Sequence, residues 1–348
     1  MILTGAGIID SQKPPLVISA LAAGVQLSSN HFVYSNSTAG TTWSPATVGN
    51  LLSIPRDITR NETIWVAVGD GNTGQKICYS YDGKSWYYAT GGFGTSSGRR
   101  VVWNGTKFLA AGSSGGNGDI LFSSSDGITW TRETGLDAAT TSIWSLSWTG
   151  SRWIAGFGSG GKIFWSTDGI SWTQSTNSSA IFGSIVGIAG IGSNGTILTA
   201  VNLNGVTGYS VDDGTTWTAG TAPTYIVGAS ICFIIWCGAP INKFVITGNN
   251  QASDKLLLSS DGINWVSTGF NFNAIMTTGQ NITSGCWNGS YFYFGCTQGN
   301  LSYNGAIFRT SDFTNYTKVL SYNQTGITPG VVHSIECKPS PSVIPPLA

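Results

Sequence analysis

The stretch that decides the fold is Ser124-Ser125-Asp126-Gly127-Ile128-Thr129-Trp130, because the chain repeats it in phase. Close copies are Ser80-Tyr81-Asp82-Gly83-Lys84-Ser85-Trp86, Ser166-Thr167-Asp168-Gly169-Ile170-Ser171-Trp172 and Ser259-Ser260-Asp261-Gly262-Ile263-Asn264-Trp265. A fifth, Ser210-Val211-Asp212-Asp213-Gly214-Thr215-Thr216-Trp217, carries one extra residue. Two degenerate copies flank these: Ser37 to Trp43, which lacks the aspartate, and Thr310 to Tyr316, which keeps Asp312 but lacks the glycine. The closing aromatics at 43, 86, 130, 172, 217, 265 and 316 are spaced by 43, 44, 42, 45, 48 and 51 positions. That period belongs to propeller blades, each a supersecondary unit that needs its neighbours to bury its faces.

Within a unit the pattern is a four-stranded meander. Val101 to Trp103 leads through Asn104-Gly105 into Phe108 to Gly112, and Ile120 to Ser124 leads through Asp126-Gly127 into Thr131. Asn-Gly and Asp-Gly between short apolar runs are hairpin signals, since tight primed turns need positive φ. The first hairpin recurs at Gly150, Gly195 and Gly289, so the 48 glycines are turn chemistry and imply no phosphate loop. The unit before the first copy has two strands, Leu16 to Gly24 and His31 to Ser35, while a surplus strand, Val331 to Cys337, follows the last copy. If that strand becomes the innermost strand of the first blade, seven blades close without a free edge. The expected fold is therefore all-β, a seven-bladed propeller over 16–338, with an arm at 1–15 and a proline-rich tail at 339–348.

Composition excludes several classes. Only 9% of the 348 residues are charged, with 16 basic and 16 acidic, yet 41% are hydrophobic and 12% aromatic, so a core is affordable and disorder is not expected. With three glutamates (Glu62, Glu133, Glu336) and two methionines, amphipathic helices lack their usual residues. A net charge of zero and no basic run beyond Arg99-Arg100 offer nothing to a phosphate backbone, so nucleic acid is not an expected partner. Residues 180–201 are uncharged over a membrane-length window, but Ser193-Asn194-Gly195 divides them into two strands of one blade, and membrane insertion is not expected. The N-terminus has no basic region and meets Asp10 early, so a classical signal peptide is not expected. Six scattered cysteines and two histidines form no zinc pattern; the expectation is no metal and no cofactor, with one disulfide within the 232–337 region left open.

The repeated turn resembles the Asp-box, or BNR repeat, of sialidases, sortilin-type receptors and other β-propellers. That resemblance implies that Ser and Asp side chains satisfy the turn between the third and fourth strands, with the aromatic residue beneath it. It makes Asp82, Trp86, Asp126, Trp130, Asp168, Trp172, Asp212, Trp217, Asp261, Trp265, Asp312 and Tyr316 structural. The family spacing, one residue between Asp and Gly, is kept only in the Ser210 copy; the shortened form is similar to repeats of giant DNA viruses of protists and of some phages.

A sialidase-like glycosidase would need three arginines on a carboxylate, a tyrosine activated by a glutamate, and an acid, all near the axis. The available groups are Arg56, within Ile54-Pro55-Arg56-Asp57, Arg99 and Arg100 before an inner strand, and Glu336 on the closing strand. Asp57 and Asp70 read as solvated turn residues. A binding module would use aromatics that fall outside the repeat phase, among them Tyr87, Tyr88, Phe93 and Tyr225, together with the arginines. Ten N-x-Ser/Thr sequons, beginning at Asn36, occur in the sequence, and many are expected by chance in a chain this rich in Asn, Ser and Thr. The expectation is a non-enzymatic structural or interaction protein on a virion or extracellular surface, passing through infected-host cytoplasm during assembly. It would contact capsid neighbours or host glycans. A glycosidase and a soluble assembly factor are the alternatives.

Overall fold

Each repeat folds as one antiparallel meander, and seven such sheets pack around a central channel in the computed structural model. The structure describes residues 20–25, 31–47, 51–71, 74–113, 119–137, 141–221, 231–248, 256–276, 281–296, 305–320 and 331–337. Blade one holds β1 (Leu21–Val25), β2 (Phe32–Ser35) and β3 (Ser44–Pro45). Blade two is β4 to β7 (Ile54–Arg60, Trp65–Asp70, Ile77–Ser80, Tyr87–Tyr88), and blade three is β8 to β11 (Gly98–Trp103, Phe108–Gly112, Leu121–Ser124, Thr131–Arg132). Blade four is β12 to β15 (Ile143–Trp148, Trp153–Phe157, Ile163–Ser166, Thr173–Gln174), followed by a short helix α1 (Ser178–Phe182). Blade five is β16 to β19 (Ile188–Ser193, Leu198–Asn202, Thr207–Ser210, Thr218–Ala219). Blade six is β20 to β23 (Ile231–Cys237, Lys243–Gly248, Leu256–Ser259, Val266–Ser267), and blade seven is β24 to β27 (Ile282–Trp287, Phe292–Cys296, Ala306–Thr310, Thr317–Leu320). The last strand, β28 (Val332–Cys337), pairs antiparallel with β1 and completes blade one, as the surplus-strand argument requires. Of the 180–201 stretch, the two expected strands are β16 and β17, while its first residues belong to α1. The expected arm, tail and the first residues of the 16–24 strand lie outside the described residues.

The second strands are buried on both faces, as in β9 and β13, and accordingly read as unbroken apolar runs. Seven hydrophobic clusters fill the ring, each joining residues of two adjacent blades; Phe32 of blade one stacks on Trp86 of blade two at 4.1 Å. The core is thus a set of wedges between blades, and a blade alone would leave both faces bare. At the closing seam, a Cβ on Gly24 would stand 2.5 Å from Pro55 Cβ, so only glycine lets β1 approach blade two. A disulfide joins Cys286 of β24 to Cys337 of β28, tying the closing strand to blade seven; Cys78, Cys237 and Cys296 are buried thiols.

The repeated turns supply their own polar partners. In blade three Ser124 Oγ accepts from the Gly127 N–H (2.8 Å) and donates to Asp126 Oδ1 (2.9 Å), which accepts from the Ile128 and Thr129 N–H groups (both 2.8 Å). Trp130 Nε1 donates to the Gly127 carbonyl at 3.2 Å, and Gly127 has φ +76. The same Ser–Asp–backbone set forms around Asp82, Asp168, Asp212 and Asp261, and with Thr310 around Asp312. The turns also stitch blades together. Thr47, Thr90, Thr176 and Thr221 each donate a backbone N–H to the turn of the next blade, at Lys84, Ile128, Thr215 and Ile263.

Candidate functional site

The innermost strands line the channel, and each is bulged at the same register position. The pairing skips one residue in every blade: His333, Arg56, Arg99, Trp144, Ala189, Cys232 and Thr283. A bulge leaves the extra residue out of the ladder and redirects the side chains beside it. Around one level of the channel the repeat geometry is therefore constant, and its chemistry is not.

Charge gathers on three adjacent blades. Arg56 Nε and Nη2 bind Asp70 Oδ1 and Oδ2 at 3.0 and 2.6 Å, a bidentate pair. Burial pushes the Asp70 carboxyl up, but hydrogen bonds from Arg56 and Ser97 and the charges of Arg56 and Arg99 hold it below its ordinary value. Arg99 lies 5.4 Å from the Trp144 ring centre; burial, then repulsion from Arg56 and Arg100, pulls its guanidinium down. Asp57 Oδ2 accepts from the Val101 N–H at 2.9 Å, linking blades two and three. Burial pushes Asp57 up to about 6 against the pull of Arg100. Glu336 of β28 is pushed up to about 8 by burial, then by the charge of Asp57, with Arg60 opposing. His333 is lowered to about 4 by burial and by Arg56, and is neutral at pH 7. Asp57 and Glu336 each keep some surface open to the channel, but protein encloses the carboxyls on their other sides, which is why burial dominates.

These groups border a cavity of about 160 Å3 that all seven blades line. Its walls are two-faced. Arg56, Asp57, Arg100, His333 and Glu336 form one arc, from blades one to three, and Leu146, Ile191, Phe233, Ile234 and Ile235 form the facing arc, from blades four to six.

The structure brings Arg56, Arg99 and Arg100 together, and adds Asp57 and Asp70. Neither aspartate is the solvated turn residue that the sequence suggested: Asp57 lies on the innermost strand, and Asp70 ends β5 in an ion pair. The out-of-phase aromatics separate. Phe93 is fully buried between blades two and three, 4.9 Å from Phe122, so it is core and no ligand contact. Tyr225 lies outside the described residues. Tyr87 and Tyr88 form β7, the outer edge of blade two, 49% and 38% exposed, the only aromatics so exposed among the described residues. Tyr87 lies 5.6 Å from Tyr79, which meets Tyr81 at 5.6 Å edge-on. The outermost strands of other blades carry Ser44-Pro45, Thr131-Arg132, Thr173-Gln174, Thr218-Ala219 and Val266-Ser267 in the same place, so this tyrosine group breaks the repeat. Among the described residues no three of His, Cys, Asp and Glu are grouped as metal ligands. The aspartates of the repeated turns sit between third and fourth strands, apart from the channel.

No protein-family model matches the sequence, and no curated protein matches it. Solved structures do. YCF48 bound to D1 peptide is similar at 13% identity and TM-score 0.53, over 77% of this chain and 82% of that one. A candidate 6-phosphogluconolactonase from Bacteroides uniformis is similar at 16% identity and TM-score 0.59, over 91% and 98%. A chain of the mitotic checkpoint complex is similar at 12% identity and TM-score 0.55, over 83% and 84%. At these identities the likeness is one of fold.

Proposed function

We propose that this propeller is a non-enzymatic interaction protein, displayed on the outside of an assembled particle, where it contacts protein neighbours or a surface glycan. The observation that carries the reading is the tyrosine edge of blade two. In a ring of near-equal blades, Tyr87 and Tyr88 are exposed at one rim position where other blades carry small or polar residues, and they continue outward from Tyr79 and Tyr81, which are half-buried against the wedge between blades two and three. Tyrosine offers a flat apolar face with a hydroxyl at its end, which suits stacking against sugar rings and hydrogen bonding at their rims. Two features support the display part: the resemblance of the shortened Asp-Gly repeat to viral repeat proteins, and a chain with only 9% charged residues, which leaves few charges to desolvate against an uncharged partner. Two of the solved propellers that resemble it are named with partners, a D1 peptide and a checkpoint complex, which accords with an interaction role.

A glycosidase is the second reading, favoured by Arg56, Arg99 and Arg100 gathering near Asp57 and Glu336. Against it, Arg56 is occupied by Asp70, and among the described residues no tyrosine lines the cavity to serve as a nucleophile. The test has three arms. Purified particles are searched for the chain by mass spectrometry, the purified protein is applied to a glycan array, and release of a fluorogenic sialoside is followed. Presence in particles, or glycan binding lost in Tyr87→Ala/Tyr88→Ala, supports the proposal. Turnover abolished in Arg56→Gln would replace it with the enzyme. Absence from particles with a blank array would leave a soluble assembly factor.

A further inference from the structure

The outer edge of blade two is suited to hold a chain by its side-chain rings and not by its backbone. β7 is two residues long, so a strand added there would find almost no ladder to join. What the edge presents is a shelf of aromatic faces. Tyr87 lies 5.6 Å from Tyr79, and Tyr79 meets Tyr81 edge-on at 5.6 Å. Tyr79 and Tyr81 pack on the wedge between blades two and three beside Trp103 and Ile128, so the shelf turns toward blade three. Tyr88, on the other side of the strand, donates its hydroxyl to the Leu51 carbonyl at 3.1 Å. The carboxylates of the two flanking turns, Asp82 and Asp126, are held by the N–H groups of those turns. An aromatic shelf without an edge to extend is the surface on which proline-rich segments dock.

The chain carries such a segment. Residues 339–348, Pro-Ser-Pro-Ser-Val-Ile-Pro-Pro-Leu-Ala, hold four of its 11 prolines and no charged side chain. The strand before them, β28, ends at Cys337, which pairs with Leu21 at the start of β1. In blades two and three the same end of the innermost strand leads into the first hairpin, with Arg60 against Trp65 and Trp103 against Phe108. A meander places that hairpin on the same face as the turn between third and fourth strands, which in blade two is the turn of Tyr81. Residue 338 therefore leaves the ring on the tyrosine face, one blade away. Strands about 4.8 Å apart put the inner and outer strands of a blade about 15 Å apart, whereas the eleven residues 338–348 span about 34 Å as polyproline II. That length carries Pro345 and Pro346 from the innermost strand of blade one to the rim of blade two.

We propose that the tyrosine shelf of blade two binds an extended proline-rich segment, and that its occupant is residues 339–348 of the same chain, with Pro345 and Pro346 against Tyr79 and Tyr87. Proline has no backbone N–H, so a Pro-Pro step laid on aromatic rings leaves no donor unpaired. Its stiffness keeps the ordering cost low. Tethering supplies an effective concentration of about millimolar, which favours the chain's own tail over that of a second copy. The inference rests on the reading of this rim as a contact surface and names what fills it; it needs neither the particle nor a glycan.

Photo-crosslinking of the full chain, with p-benzoylphenylalanine in place of the exposed Tyr87, tests it. After irradiation and proteolysis, mass spectrometry should find position 87 joined to residues 343–348, in protein that runs at the mass of a monomer. Pro345→Ala/Pro346→Ala, which removes no residue of the ring, should lower that yield about fivefold or more. A synthetic peptide of residues 339–348 at about 10 mM, above the effective concentration of the tether, should compete it down. No link to the tail, or a yield indifferent to both the proline substitutions and the peptide, would overturn the proposal. The same link found only at the mass of a dimer would make a second copy the occupant and overturn it as well. Glycan binding by a chain whose tail does not link would sink this inference and leave the contact role standing. A linked tail beside a blank glycan array, in a chain absent from particles, would keep this inference and sink the display role.

Discussion

Replacing Glu336 by glutamine should flatten the pH dependence of stability, and the direction follows from where its proton sits. The carboxyl is pushed from an ordinary 4.5 to about 8 in the folded protein, by burial first and by Asp57 second. A raised carboxyl binds its proton more tightly when folded, so its stabilising protonated form is fully present below pH 4.5 and is lost as pH rises through 8. At about 1.4 kcal/mol per pKa unit the ceiling is about 5 kcal/mol. Glu336 is partly open to the channel, so solvent screening brings the expected loss to about 2–3 kcal/mol between pH 5 and pH 9. Asp57, raised from 3.8 to about 6, adds a loss of the same sign over a lower window. Urea unfolding of the native protein and of Glu336→Gln at pH 5, 7 and 9 reads this directly. The native protein should lose stability across the series, while the variant should lose less than half as much and overtake the native protein at pH 9. A native profile that is flat from pH 5 to 9, or a variant that follows the native slope, would refute the placement of a protonated carboxyl at the closing seam.

Three further outcomes follow from the packing. Asp126→Ala removes the acceptor of the Ile128 and Thr129 N–H groups and should cost about 1–2 kcal/mol in urea unfolding, more than an exposed aspartate outside these turns. Phe313→Gly trades two terms: Phe313 sits at φ +57, which glycine relieves by about 1–2 kcal/mol, but it is buried against Phe292, and losing that packing costs about 3–5 kcal/mol, so the variant should be less stable. Cys286→Ser opens a 51-residue loop and should lower stability by up to about 4 kcal/mol, with a new free thiol at Cys337 measurable by mass after alkylation.

The fold was legible because its instructions are local and repeated. Each Ser-x-Asp-Gly turn is specified within seven residues, and its hydrogen bonds close within that same stretch, so the sequence displays them whole. Blade number followed from counting, and closure from the deficit before Trp43 and the surplus after Tyr316. The site was legible only in part. Glu336 was visible on an inner strand, Arg99 and Arg100 just before one, and Arg56 within Ile54-Pro55-Arg56-Asp57, but Asp57 read as a solvated turn residue. The bulge at Arg56, which takes one residue out of the pairing ahead of Asp57, has no local sequence signature. Phe93 failed for the opposite reason: it falls outside the repeat phase, yet fills the wedge between two blades, a contact between elements distant in sequence. The stitches from Thr90 to Ile128 and from Thr176 to Thr215 are likewise blade-to-blade contacts without a local pattern.

In a repeat protein, what every blade shares is explained by the ring, so function is best sought where one blade departs from the others. The turn aspartates recur in six copies and are engaged in backbone hydrogen bonds, which accounts for them without any ligand. By the same logic the seven bulge positions are structurally equivalent, so nothing in the ring requires arginine at two neighbouring ones, histidine at a third and alanine opposite. A guanidinium is costly to desolvate, and blades two and three place half-buried Arg56 and Arg100 where blades four to six line the same cavity with apolar residues. The rim tyrosines of blade two pose the same question on the outer face. Both departures involve blade two, next to the seam where the two ends of the chain meet. Substituting Tyr87 and Tyr88 with Thr and Ser, as other blades have at their outer edges, should leave stability unchanged while removing whatever partner that rim recruits; a large loss of stability would instead make the tyrosines part of the ring.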